Sequence, residues 1–271
     1  MNSEAMFQQP ADFRDECDAL CRLLEPLTDR DFERPTQFKD YTIHDVVAHL
    51  HVFNGLADLS LRDEAGFHAF NNQLRDGLKR GRSLKQLTDD HLEGARNRAA
   101  FEQWRDYYPE MAEHFAAADP KQRVPWAGKS MSVRSSITAR LMETWAHGQE
   151  VYDELGVERV DADRIENIAV LGVNTFGFAF ANRGIEIPER TPRVRLTAPS
   201  GALWEWNSEV ESDLVEGHAT EFCQVVTQVR SLADTKLRVE GEVAKRWMSI
   251  AQCFAGPASE PPQLGSRYTV R

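Results

Sequence analysis

Basic residues are in deficit here: 32 Lys and Arg stand against 43 Asp and Glu, for a formal net charge of −11. No basic stretch interleaved with aromatics offsets that balance, so nucleic acid and anionic membrane surfaces are poor partners. Long apolar runs are missing as well; none approaches the roughly 20 residues that span a bilayer. The opening residues from Met1 to Pro10 show no cationic segment followed by an apolar run, so a secretory leader is not expected. Cysteine is sparse, with four in 271 residues: Cys17, Cys21, Cys223 and Cys253. Cys17 and Cys21 stand four apart in an apolar stripe, which suits buried thiols in a reducing cytoplasm better than a disulfide framework. Internal repeats and low-complexity segments are also absent. A soluble cytoplasmic protein with no membrane or nucleic-acid partner is the expectation.

What is present is an ordinary globular mixture, 41% hydrophobic and 28% charged. The first two thirds read as helix. Phe13, Cys17, Leu20, Cys21 and Leu24 form a stripe within about Pro10 to Leu27. Asp29 to Asp40 contains Pro35 and reads as a loop. Thr42 is a good N-cap with Asp45 three residues on, and Val46, Leu50 and Phe53 then repeat at i, i+4, i+7. His49 shares their face, while His44 and His51 fall nearer its flanks. Further stripes predict helices over about 59–81 and 89–118. The run from Lys79 to Arg82 is a solvated helix end. Pro120 and Pro125 mark a loop, Ser132 can cap a helix over about 133–155, and Gly156 can end it. One more helix, about 163–183, closes this half.

From about residue 190 the pattern changes. Residues 193–198, 203–206 and 236–241 alternate as strands do, with Leu214-Val215 preceding a helix over about 219–232 and a last helix over about 242–254. The tail after Pro257 is expected to be loose. The fold class is α+β: a helical bundle over 1–188 and a small α+β domain over 189–271.

Chemistry concentrates in Arg140-Leu141-Met142-Glu143-Thr144-Trp145-Ala146-His147. Glu143 and His147 stand at i and i+4, so their Cβ atoms lie about 5–6 Å apart on one helix face. Two such side chains can grip one metal ion if a third ligand arrives from elsewhere, and His49 is the best candidate. The plainer account pairs Glu143 with Arg140 at i−3 and makes His49 a hydrogen-bonded core histidine.

Thr42-Ile43-His44-Asp45-Val46-Val47-Ala48-His49-Leu50, followed by Glu143-Thr144-Trp145-Ala146-His147-Gly148, resembles the DinB-like metalloproteins. More narrowly it resembles the branch of the mycothiol-dependent maleylpyruvate isomerase family. Residues 225–230 and 237–241 resemble the small sterol-carrier-like domain that follows the bundle in that branch. The resemblance implies a DinB-like four-helix bundle holding a divalent metal, usually zinc, through His49, Glu143 and His147, with nickel or iron as other occupants. It implies mycothiol or a related thiol as co-substrate and Arg230 as a residue near the substrate. Tyr41 departs from the Trp that the family often carries there.

Three ligands of this type leave a fourth position open, as in catalytic zinc. A metal-bound thiol is deprotonated, and thiolate is the nucleophile in thiol chemistry. The expected activity is therefore thiolate attack on an electrophilic small molecule, giving S-transfer or cis-trans isomerisation. Arg230, or else Arg238 or Arg246, can hold a substrate carboxylate, and His44 and His51 are candidate proton shuttles. A metal-hydroxide hydrolase or lyase without thiol, or a non-catalytic metal or small-molecule binder, would use the same ligands. Monomer and homodimer are both compatible with the sequence.

Overall fold

Pro10 enters the first turn of helix α1 (Gln9–Leu24), where its missing N–H removes no helical hydrogen bond. Phe13, Cys17, Leu20 and Leu24 are buried along one side of it. The computed structural model describes residues 7–126 and 129–270, which divide into two units between Glu154 and Leu155.

In the first unit, the segment expected to be a loop contains a short helix α2 (Asp29–Phe32), which buries Phe32. Helix α3 (Ile43–Arg62) starts as expected. The Thr42 hydroxyl accepts the Asp45 N–H at 3.2 Å, and the Asp45 carboxylate accepts the Thr42 N–H at 2.7 Å. This reciprocal box satisfies two donors that a first turn leaves free. The helix expected over 59–81 is divided instead. Asp63 ends α3 and caps α4 (Glu64–Lys79) by accepting the Gly66 N–H at 3.0 Å. Ser83 caps a further helix, α5 (Leu84–Asp90).

The next long helix, α6 (Arg98–Ala116), begins later than residue 89, because Glu93, Gly94 and Asn97 take φ values of 51°, 86° and 52° that no right-handed helix contains. Where a loop was expected, β1 (Arg123–Trp126) and β2 (Lys129–Ser132) pair antiparallel, with Val124 opposite Met131. Helix α7 (Val133–Leu155) has the expected bounds. Ser132 Oγ accepts the Ser135 N–H at 3.1 Å, and Gly156, at φ +68°, turns the chain out. Helices α1 and α3 both pack on α6. Trp104, Phe101 and Phe115 of α6 are fully buried, as are Val46 and Leu50 of α3 and Ile137, Leu141 and Trp145 of α7. The core therefore lies among four helices, as expected for the bundle.

The second unit begins with a 3-10 turn at Asp163–Ile165, then α8 (Glu166–Asn174) and α9 (Phe176–Ala181). They replace the single helix expected over 163–183, Thr175 Oγ1 donating back to Leu171 and Gly172 carbonyls at the break. Strands β3 (Arg193–Thr197), β4 (Leu203–Trp206), β5 (Leu214–His218) and β6 (Arg238–Glu240) form one sheet in the order β4-β3-β5-β6. Leu214 and Val215, expected only to precede a helix, open β5, which runs parallel to β3; the other pairings are antiparallel. Helices α10 (Ala219–Val226) and α11 (Glu242–Ile250) cover it.

Gly172 of α8 lies flat against Phe222 and Val226 of α10, where a Cβ would approach to 3.0 Å. Phe176 of α9 meets Trp247 of α11 edge-on at 5.3 Å. These contacts group α8 and α9 with the sheet, so the division precedes the 188/189 boundary drawn from composition. The tail is held, contrary to expectation. Ser259 donates to Gln252 Oε1 at 3.0 Å, and Arg267 donates to the Gln228 carbonyl at 3.0 Å. Among the described residues no helix is long and apolar enough to cross a membrane.

Candidate metal centre

Helix α3 presents His49 at mid-length, and α7 presents Glu143 and His147 on successive turns. His49 Nε2 lies 3.2 Å from Glu143 Oε2, and His147 Nε2 lies 3.3 Å from the same oxygen. One donor atom from each residue lies within 4.8 Å of the other two. The two imidazoles meet edge-on, ring centroids 4.6 Å apart. Their side chains are 12% exposed and that of Glu143 24%, so the cluster is sheltered but reachable. Phe53 packs on His49 at 4.6 Å, and Phe38, from the loop before α3, stands edge-on to His147 at 5.1 Å.

Burial drives the His49 imidazole down to about 4, so it is neutral near pH 7, and the tautomer with its proton on Nδ1 presents an Nε2 lone pair to the cluster. Burial alone would raise the Glu143 carboxyl, but hydrogen bonds from His147 and His49 hold it well below the usual carboxylate range. The site thus offers an ionised oxygen and imidazole nitrogen, converging on one point. His49 Nδ1 is buried with no partner, so Nε2 carries that ring's polar contact. This donor set fits a divalent transition metal and leaves coordination positions open.

Other expected residues fall elsewhere. Arg140 does not pair with Glu143; its Nε donates to Asn54 Oδ1 at 2.9 Å. His44 is buried rather than flanking, and its Nδ1 accepts the Asn97 backbone N–H at 3.1 Å. His51 packs edge-on to Tyr107 at 5.6 Å. Neither joins the three-residue cluster. Cys17 is buried 3.9 Å from Thr144 Oγ1, its thiol pushed well up by burial, and none of the four cysteines forms a disulfide. In the second unit Arg230 is 9% exposed and donates to the Val229 carbonyl. Arg238 pairs with Glu216 and Glu240. Arg246 lines an open cavity of about 570 Å³ together with Glu186, Glu189 and Glu242, surroundings that repel a carboxylate.

Sequence reasoning missed Asn54 and Phe38. Asn54 had a signal: a fully buried amide in an apolar helix must find a partner. Phe38 had none, because its contact with His147 joins residues more than a hundred positions apart.

Two histidines and a glutamate meeting across two helices of a bundle form a candidate metal site of the kind such bundles host between helices. Residues 13–152 match the family described as mycothiol maleylpyruvate isomerase N-terminal domain, and the chain belongs to that family. An uncharacterized protein of Mycobacterium tuberculosis, found in each of two strains, is 35% identical over 258 residues, covering 91% of this chain and 95% of its own. The crystal structure of a mycothiol-dependent maleylpyruvate isomerase superposes with a TM-score of 0.51 at 13% identity, over 80% of this chain and 87% of the other. A histidine-to-alanine mutant of that isomerase superposes with a TM-score of 0.52 over the same shares. At that identity the likeness shows the fold.

Proposed function

We propose that this protein is a metal-dependent enzyme that uses a low-molecular-weight thiol of the mycothiol type to act on an electrophilic small molecule. The observation that carries this is the convergence of His49, Glu143 and His147 within 4.8 Å in a chain of this family. The three residues would hold the ion, zinc by preference and nickel or iron with the same donors. A divalent ion there supplies Lewis acidity, which makes a coordinated thiol far more acidic.

The chain's own groups prepare that chemistry. Ionised Glu143 gives the site its single negative charge, and neutral His49 keeps a lone pair available. Phe38 and Phe53 shield the imidazoles from water. Thiolate addition to an electrophilic carbon, bond rotation and elimination isomerise an enoyl acid and return the thiol; addition or displacement alone leaves a thioether. Isomerisation is the reading supported by the fold relatives. We assign Arg230 to the substrate carboxylate, on the family resemblance alone, and place the protein in the reducing cytoplasm with its thiol.

The test is elemental analysis of the purified protein beside His147→Ala, both shown folded by circular dichroism, followed by thiol titration of the Co2+-loaded wild type. About one equivalent of divalent metal, lost in the variant, is expected for a three-ligand site, with a thiolate-to-cobalt absorption band on titration. A wild type that neither carries nor takes up metal sinks the reading. Metal without any thiol band leaves a metal protein that does not use a thiol.

A further inference from the structure

Helix α7 places a second charged group one turn before Glu143. Arg140 is 3% exposed, and the Asn54 side chain that accepts from its Nε is fully buried. Arg140 Nη2 and Asn54 Nδ2 are both buried without a hydrogen-bond partner among the described residues. No carboxylate among those residues forms an ion pair with this guanidinium. A cation taken out of water is costly unless something compensates it, so this charge is unusual in any interior. Three positions separate it from Glu143 on α7, which puts their Cβ atoms roughly 5–6 Å apart, so its field reaches the site. Arginine keeps its charge at any ordinary pH.

We infer that Arg140 is a positioning residue that biases the site's open coordination position toward anions, a thiolate or carboxylate rather than a neutral ligand. The bias rests on the metal site proposed above and names the ligand class of that site. Two neutral imidazoles, one carboxylate and a divalent ion leave one positive charge, and the buried guanidinium adds a second. An incoming anion is drawn by both. A dication entering the site is attracted by Glu143 but repelled by Arg140. The guanidinium therefore acts with opposite sign on the two binding events, weakening metal uptake while strengthening anion capture. A residue that only braced the helices would, when replaced, weaken both together.

The experiment measures Zn2+ affinity by competition with a chromophoric chelator, and azide and imidazole affinities from the visible absorption of the Co2+-loaded protein. Four proteins are compared: the wild type, Arg140→Lys, Arg140→Gln, and Arg140→Met combined with Asn54→Leu, which replaces the whole buried pair should the single change unfold. In a folded neutral variant azide should bind at least about tenfold weaker, and Zn2+, with twice the charge, tighter by a larger factor, as expected of a unit charge within about 12 Å at an effective dielectric near 20. Imidazole should be unchanged, and Arg140→Lys should stay close to wild type in all three. The unaltered protein should itself prefer azide to imidazole. Zn2+ and azide affinities that fall together, an azide affinity indifferent to the charge, or a wild type that prefers imidazole overturns the inference while leaving the metal site standing. A wild type that takes up neither Zn2+ nor Co2+ removes the metal site itself, and the bias with it.

Discussion

His49 and Glu143 lie 94 positions apart in the chain and 3.2 Å apart across two helices. Each carries a cost alone. A buried carboxylate needs cations or donors, and a buried imidazole with one unpartnered nitrogen gains little from packing. Together with His147 they form a compact set whose polar atoms face one another.

Replacing Glu143 with Gln keeps the shape and deletes the charge. Divalent-metal affinity, read by chelator competition, should fall by more than about 100-fold, the upper range for losing a mere supporting residue. An unchanged affinity would put the ion elsewhere.

The pH dependence of stability should carry the signature of His44. Burial, then the Arg96 cation, hold its proton affinity below the ordinary value, against the pull of Asp89 and Asp45. Its Nδ1 accepts the Asn97 N–H, a contact that protonation at that nitrogen destroys. The unfolded chain takes up this proton near pH 6.5, roughly the free histidine value, and the folded chain only at lower pH. The unfolded state thus binds more protons in that window, and stability falls as pH drops through it. Urea unfolding of metal-free protein from pH 7.5 to 5.5 should show the loss, with a shallower slope in His44→Gln. Equal slopes would remove His44 from the account.

Thr42→Ala should lower unfolding free energy by about 1 kcal/mol, the usual effect of losing an N-cap side chain. The hydroxyl half of the Thr42–Asp45 box goes and the backbone N–H to the Asp45 carboxylate stays, while His49 sits two turns further into α3. Metal affinity should therefore change by only a few-fold. A large loss of metal binding with little loss of stability would mean that the cap positions the ligand directly.

In the second unit Gly241 has φ +88°, and a Cβ there would overlap Asp213 Oδ1 and the Ser212 carbonyl. The same Asp213 oxygen accepts the Val243 and Ala244 N–H groups at the start of α11. Gly241→Ala should thus destabilise by more than about 2 kcal/mol, combining a left-handed strain with displacement of that cap. A variant melting within a degree of wild type would contradict this.

Much of the site was legible because it depends on short-range order. The i, i+4 spacing of Glu143 and His147 fixes a shared helix face once α7 forms, and Thr42, Ser132 and Gly156 mark helix ends through local backbone chemistry. Boundaries failed where a local device outweighed periodicity: Asp63 recapping the chain into α4, positive φ at Glu93, Gly94 and Asn97 delaying α6, and Thr175 dividing α8 from α9. The hairpin at 123–132 was hidden because Pro125 argues for a loop, and only its pairing with Ser130 shows otherwise.

By itself, then, the sequence determined the two-part α+β composition, the helices that bear His49, Glu143 and His147, and the face that the last two share. Only the tertiary structure decided how those side chains are compensated. Arg140 turns to Asn54 instead of Glu143, and His44 turns to Asn97, because partners of buried polar groups are chosen by helix packing across dozens of residues. Local spacing sets which face a side chain occupies. The opposing helix sets what it meets there.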